Sequence, residues 1–291
     1  MERVIATDAG LVGGRRGRGR SISWRGIPFA APPLGENRFR APQPAPPWRG
    51  VRECDEYGAA LIQEKYLTLT TPLKLQPMSE DCLTLNVFSR DSVPSALRPV
   101  MVFIHGGGFL MGMAATPIYD GTHLARTQDV VVVTIQYRFG PFGLLDLSDY
   151  ATAEQPFETN LGLRDQIAAL RWVRRNIAAF GGDPDNVTVF GESAGGTSVL
   201  ALLASPAAKG LFAAAIAESP APELIVDRAT ARVIADEFLR LLDDPARKPG
   251  APHGAGPFPG GRARELLARA SGDDIHGAGK KLMDFAQKTD I

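Results

Sequence analysis

Along the middle of the chain the hydrophobic pattern changes period several times. Leu83–Phe88 alternates apolar and polar residues, the period of a half-buried strand. Val100–Ile104 and Val130–Ile135 are instead short continuous runs rich in β-branched residues, which predicts parallel strands buried on both faces. Between Leu161 and Phe180 the apolar positions Leu163, Ile167, Leu170, Val173 and Ile177 fall on one helical face, and Gly181-Gly182 ends the run. Asn186–Phe190 is again strand-like and leads directly into Gly191-Glu192-Ser193-Ala194-Gly195-Gly196, followed by an alanine- and leucine-rich helix to about Ala204. Alternating strands and helices predict an α/β fold with a mostly parallel, doubly wound sheet.

The flanks read differently. Residues 1–30 break into short apolar stretches separated by Gly and Arg, as small strands at a sheet edge would. Arg15, Arg16, Arg18 and Arg20 read as a solvated turn, because glycines interrupt them and no apolar segment follows. The proline-rich stretch from Pro28 to Trp48 is an extended surface segment pinned by Phe29, Phe39 and Trp48. Past Glu218 the pattern fades. Ala229–Leu242 and Ala263–Ala270 read as helices, Pro245–Arg262 as a Pro/Gly-rich mobile loop, and the last twenty residues contain no strand. The chain is therefore taken as one domain over 1–291, with a divergent helical and loop tail over 221–291.

Composition narrows the function classes. The 32 basic and 32 acidic residues cancel, so no global field recruits nucleic acid or an anionic membrane. The apolar runs are too short to span a bilayer, and the N-terminus has no signal-like apolar stretch. The expectation is a soluble cytoplasmic protein acting on a small, uncharged partner. Cys54 and Cys82 are too few for a disulfide scaffold. They are read as two core thiols or, in an oxidising compartment, as one bridge.

The chemistry concentrates at two glycine-rich turns. GxSxG at Gly191–Gly195, set between a strand and a helix, places a serine on a sharp turn whose neighbours must be small. Its hydroxyl then projects above the sheet, and the amides opening the next helix point at the same spot. His105-Gly106-Gly107-Gly108-Phe109 also follows a buried strand, and bare glycines let amides turn toward a ligand. It lacks the GxGxxG or lysine pattern of a phosphate cradle. His105 is read as holding that loop by hydrogen bonds and His123 as a surface or helix-start residue. His253 and His276, the histidines downstream of Ser193, both fit poorly as a base. Phe109, Phe139 and Phe142 are either pocket-lining or ordinary core aromatics.

With these turns in hand, the sequence resembles the type-B carboxylesterase family, the group that includes cholinesterases. GIPFAAPPLGENRFRAPQP at Gly26–Pro44 is similar to its proline-rich signature, SEDCLTLNVF at Ser79–Phe88 to its second, and Asn160–Gly196 to its central block. The match runs over roughly residues 4–220. The resemblance implies an α/β-hydrolase fold and hydrolysis of carboxylic esters through an acyl-enzyme, with no metal and no cofactor. It further implies Ser193 as nucleophile, the amides of Gly107, Gly108 and Ala194 as oxyanion hole, and Glu192 as a buried structural neighbour. The chain departs from the family at Glu218-Ser219-Pro220, where a Ser-Gly step is usual, and Cys54 stands several residues before the usual partner of Cys82.

The largest departure lies after Ser193. The family places its acidic residue and its histidine further downstream than this chain reaches, so the sequence looks like the N-terminal half of such an esterase. Two expectations follow: an esterase whose acid and base come from an unusual C-terminal segment or a partner polypeptide, or a catalytically impaired hydrolase fold serving as a binding domain. In either case an uncovered sheet edge predicts self-association or a complementing partner.

Overall fold

The computed structural model describes residues 3–64, 76–92, 96–251 and 256–289. The strands are β1 (Arg3–Ala6), β2 (Leu11–Arg16), β3 (Ser21–Pro28), β4 (Val51–Glu53), β5 (Thr84–Arg90), β6 (Arg98–Ile104), β7 (Val131–Ile135), β8 (Gly182–Glu192) and β9 (Ala214–Glu218). They form one mixed sheet in the order β1-β2-β3-β5-β7-β6-β8-β9, with β4 paired to β2. From β1 to β7 this path is antiparallel; β7, β6, β8 and β9 run parallel. The parallel half comes from the continuous apolar runs. All five residues of β7 are buried, as a strand sandwiched between two layers requires.

The helices are α1 (Thr122–Thr127), α2 (Gly140–Gly143), α3 (Leu161–Asn176), α4 (Ala194–Ala204), α5 (Arg228–Asp243), α6 (Gly260–Arg269) and α7 (Gly272–Thr289). On one face of the sheet Val100, Val102 and Ile104 align with Val131, Val133 and Ile135 and with Val187, Val189 and Gly191. Leu170 and Val173 of α3 and Val199 and Leu202 of α4 join the valines and isoleucines of this face in the main core. On the other face Phe88 and Val132 pack beneath Ala125 of α1.

A buried ion pair docks α3 against the segment leaving β7. Arg138 donates to Asp165 through Nε at 2.8 Å and Nη2 at 2.7 Å, and its backbone amide adds a third bond at 3.0 Å. Burial pushes the Asp165 carboxyl up, and the Arg138 guanidinium opposes that shift. The expected helices after Glu218 are α5 and α6, with Asp227 capping α5 by accepting from the Thr230 amide at 2.8 Å. Residues 256–259 continue the expected loop, whose residues 252–255 lie outside the described ones. The sequence pattern did not pick out α7. Arg15–Arg20 is solvent-exposed, as expected, but Arg15 and Arg16 end β2, paired with Ser23 and Ile22 of β3, so the turn itself is shorter than expected. Among the described residues no helix is long and apolar enough to cross a membrane.

Candidate active site

Two neighbouring parallel strands end at the same place. Ile104 of β6 pairs with Gly191 of β8, so the His105–Gly108 turn and Ser193 emerge side by side at the carboxyl ends, where open α/β sheets bind ligands. A Cβ built on Gly106 would stand 3.1 Å from Ser193 Cβ and 2.5 Å from the Glu192 carbonyl oxygen. Only glycine permits that approach. Gly195 has the same cause: its Cβ would lie 2.1 Å from the Ile104 carbonyl oxygen.

Ser193 itself has φ 56° and ψ −123°, a region costly to a residue with a side chain. Its amide donates to the Glu218 carbonyl at 2.9 Å, and its carbonyl accepts from the Thr197 amide at 2.9 Å and the Thr197 hydroxyl at 3.2 Å. Thr197 Oγ1 in turn accepts from the Ala221 amide at 2.8 Å, which ties the Ser219-Pro220 departure to the first turn of α4. Ser219 also has a positive φ, 45°.

The glycine turn is held from several sides. Gly107 has φ 113° and Gly108 φ 62°, and among the described residues neither amide donates to a protein acceptor. The Gly107 carbonyl accepts from Leu110 at 3.0 Å and Met111 at 3.2 Å, and the Phe109 carbonyl accepts from Gly140 at 2.8 Å. The Gly112 amide donates to Gln63 Oε1 at 2.8 Å. Ala194 is the first residue of α4, so its amide has no acceptor within the helix. The amides of Gly107, Gly108 and Ala194 are thus unspent, on two turns that meet where Gly106 approaches Ser193.

His105 is 1% exposed. The Gln136 amide nitrogen, 3.3 Å away, can only donate to its Nε2, which leaves Nδ1 protonated and donating to the Gly106 carbonyl at 2.9 Å. The ring stacks on Tyr137 at 4.5 Å, and burial lowers its pKa to about 4. It is a neutral strut of the turn, as its position at the strand end suggested.

The other candidates disperse. His123 is exposed on α1. His276 lies on α7 with Nε2 3.6 Å from Glu64 Oε1, and His253 lies outside the described residues. No histidine or carboxylate among the described residues hydrogen-bonds the Ser193 hydroxyl. Glu192 corrects the expectation of a buried neighbour: it is exposed, because strand alternation turns it to the less covered face of the sheet. Phe139 and Phe142 are buried core residues, whereas Phe109 is half-buried with φ 57°. Cys54 and Cys82 are both buried and unbridged, and burial raises the Cys54 thiol to about 12. Sequence reasoning missed Gln136, Gln63 and the Glu218 carbonyl. Gln136 directly follows the Val130–Ile135 run and was findable there; the other two carry no one-dimensional signal.

A model of the carboxylesterase family matches residues 1–243. The chain is 50% identical over 239 residues to the para-nitrobenzyl esterase of Bacillus subtilis (strain 168), covering 82% of this chain and 48% of that protein. It is 52% identical over 228 residues to a cocaine esterase of Oryctolagus cuniculus, covering 74% and 39%. Among solved structures, a thermophilic PNB esterase superposes with a TM-score of 0.86 at 42% identity, over 99% of this chain and 55% of that one. A Geobacillus stearothermophilus carboxylesterase gives a TM-score of 0.81 at 40% identity, over 96% and 53%. The chain spans 48% of the length of the first of these curated relatives and 39% of the second.

Proposed function

The chain belongs to the carboxylesterase family, and from that premise we propose that it is a serine hydrolase of carboxylic esters, with Ser193 as nucleophile and the Gly107, Gly108 and Ala194 amides as oxyanion hole. The observation that supports this reading is a strained serine beside a glycine turn whose Gly107 and Gly108 amides, like that of Ala194, have no protein acceptor among the described residues, all at the carboxyl ends of β6 and β8. In the first half-reaction Ser193 Oγ bonds to the ester carbonyl carbon, and the hydroxyl proton passes to a base. The carbonyl oxygen becomes an oxyanion facing the three amides. Its collapse breaks the bond to the alkoxy oxygen, which leaves as the alcohol with the base's proton. Water repeats the sequence on the acyl-enzyme and releases the acid.

The base is the part that the described residues do not supply. His105 is committed to the turn and neutral, and His276 faces Glu64. Of the two partner readings, self-association and a complementing C-terminal half, the unassisted serine favours the second. The unbridged thiols support a reducing, cytoplasmic setting.

The test is release of p-nitrophenol from p-nitrophenyl acetate by the chain and by Ser193→Ala, each with and without imidazole as an external base. A rate that depends on Ser193 and rises with imidazole is expected. Identical rates for both proteins at every imidazole concentration would overturn the reading and leave a binding domain.

A further inference from the structure

The glycine turn beside Ser193 is pliable by composition and fixed at its return. Gly107, Gly108 and Gly112 have φ 113°, 62° and 130°, so the turn's own residues restrain it little. Its two ends lie against each other. A Cβ on Gly112 would stand 2.3 Å from His105 Nδ1 and 2.6 Å from the Gly106 carbonyl oxygen, and one on Gly107 2.1 Å from the Met111 carbonyl oxygen. Whatever holds Gly112 therefore sets where Gly106 and Gly107 lie. Gln63 holds it at both backbone groups. Its Oε1 accepts from the Gly112 amide at 2.8 Å, and its Nε2 donates to the Gly112 carbonyl at 2.9 Å and to the Leu61 carbonyl at 3.0 Å. Gln63 is 7% exposed, so water competes weakly for these bonds. A clamp positions a turn only when it is itself held, and this one is anchored on two sides. The Ala60 amide donates to the Pro77 carbonyl, and the Ala60 carbonyl accepts from the Ser79 amide, both at 2.9 Å. From α7, Gly272 packs on Ile62, and Lys280 Nζ donates to Glu64 Oε1 at 2.9 Å.

We propose that Gln63 is a positioning residue for the oxyanion amides: it fixes Gly112, and through Gly112 the direction in which the Gly107 and Gly108 amides point, without touching substrate. The effect on catalysis rests on the esterase reading; the clamp itself does not. An oxyanion donor acts only where charge develops in the transition state, and about an ångström of misplacement costs on the order of a hundredfold in rate. The two buried glutamines divide the work. Gln136 accepts from the Ala114 amide at 3.0 Å and donates to His105, so it sets the imidazole, while Gln63 sets the return of the turn. The clamp needs a neutral group with donor and acceptor side by side. A carboxylate of the same shape still accepts from the Gly112 amide, but it has no donor and faces two carbonyl oxygens with a negative charge. Protonated, it regains one donor.

The experiment compares the full chain with Gln63→Ala, Gln63→Glu and Ser193→Ala, by amide hydrogen exchange and by p-nitrophenyl acetate turnover in imidazole buffer. In Gln63→Ala the Leu110 and Met111 amides, which donate to the Gly107 carbonyl, are expected to exchange about tenfold faster. The β6 and β8 amides keep their rates, the sign of an intact fold. The Ser193-dependent kcat is expected to fall about tenfold to a hundredfold, with KM held within about twofold. Gln63→Glu matches Gln63→Ala at about pH 8, and its rate relative to the unmodified chain recovers toward about pH 6 as the buried carboxyl gains a proton. Unchanged exchange at Leu110 and Met111 overturns the proposal. So does an unchanged kcat, a loss confined to KM, a Gln63→Glu variant as fast as the unmodified chain at about pH 8, or faster exchange throughout β6 and β8. If the unmodified chain and Ser193→Ala hydrolyse alike, the esterase reading falls, and the exchange rates at Leu110 and Met111 alone decide the clamp.

Discussion

At Ser193, φ 56° and ψ −123° place a side-chain-bearing residue where only glycine is at ease, at a cost of about 1 to 3 kcal/mol. A fold keeps such a conformation only where neighbours impose it, and here the Glu218 carbonyl and the Thr197 amide grip the residue on both sides. Ser193→Gly is therefore predicted to raise the unfolding free energy by about 1 kcal/mol, after the extra chain entropy of glycine is subtracted. Urea titration checks this, and a destabilised variant would mean the serine is unstrained. His105 makes a second prediction at this scale. Its pKa falls from 6.5 to about 4 on burial, so the unfolded chain takes up a proton first as the solution is acidified. The stabilisation is complete above pH 6.5 and is lost as pH falls from there to about 4, by on the order of 3 kcal/mol. His105→Gln flattens the stability profile across that window. Parallel profiles for the two proteins would contradict the assignment of a neutral imidazole.

Among the elements, α3 depends on one charge pair. With Arg138 and Asp165 both buried and joined by two side-chain bonds, Asp165→Ala strands a guanidinium in the core and is predicted to cost about 3 to 5 kcal/mol. Replacing both partners by apolar residues costs less, and equal losses in the single and double variants would show that the helix, not the pair, is what fails. The sequence exposed β6 and β7 as continuous apolar runs and α3 by the regular apolar stripe it packs against the core. It did not expose α7, whose Gly272, Gly277 and Gly279 look like breakers. In the fold two of them are contact points: a Cβ on Gly272 would stand 2.3 Å from Ile62 Cδ1, and one on Gly279 2.6 Å from Pro141 Cγ. Close packing on residues far back in the chain is a tertiary cause that local pattern does not carry.

For the whole molecule, the site was legible where chemistry demands a fixed spacing. GxSxG and HGGG declare themselves because side chains at Gly106 or Gly195 would collide with the neighbouring strand end. The exposure of Glu192 was not legible, since it depends on what covers the second face of the sheet rather than on the motif around it. The proposed function meets the same limit, for the proposed nucleophile and oxyanion amides lie among the described residues while none of these brings a base to Ser193. The most direct measurement is peptide mass spectrometry of the chain after acid quench of its reaction with p-nitrophenyl butyrate in imidazole buffer. The account predicts one butyryl group on the peptide carrying Ser193, and none on that peptide in Ser193→Ala. Acylation confined to lysines, or no adduct at all, would contradict it.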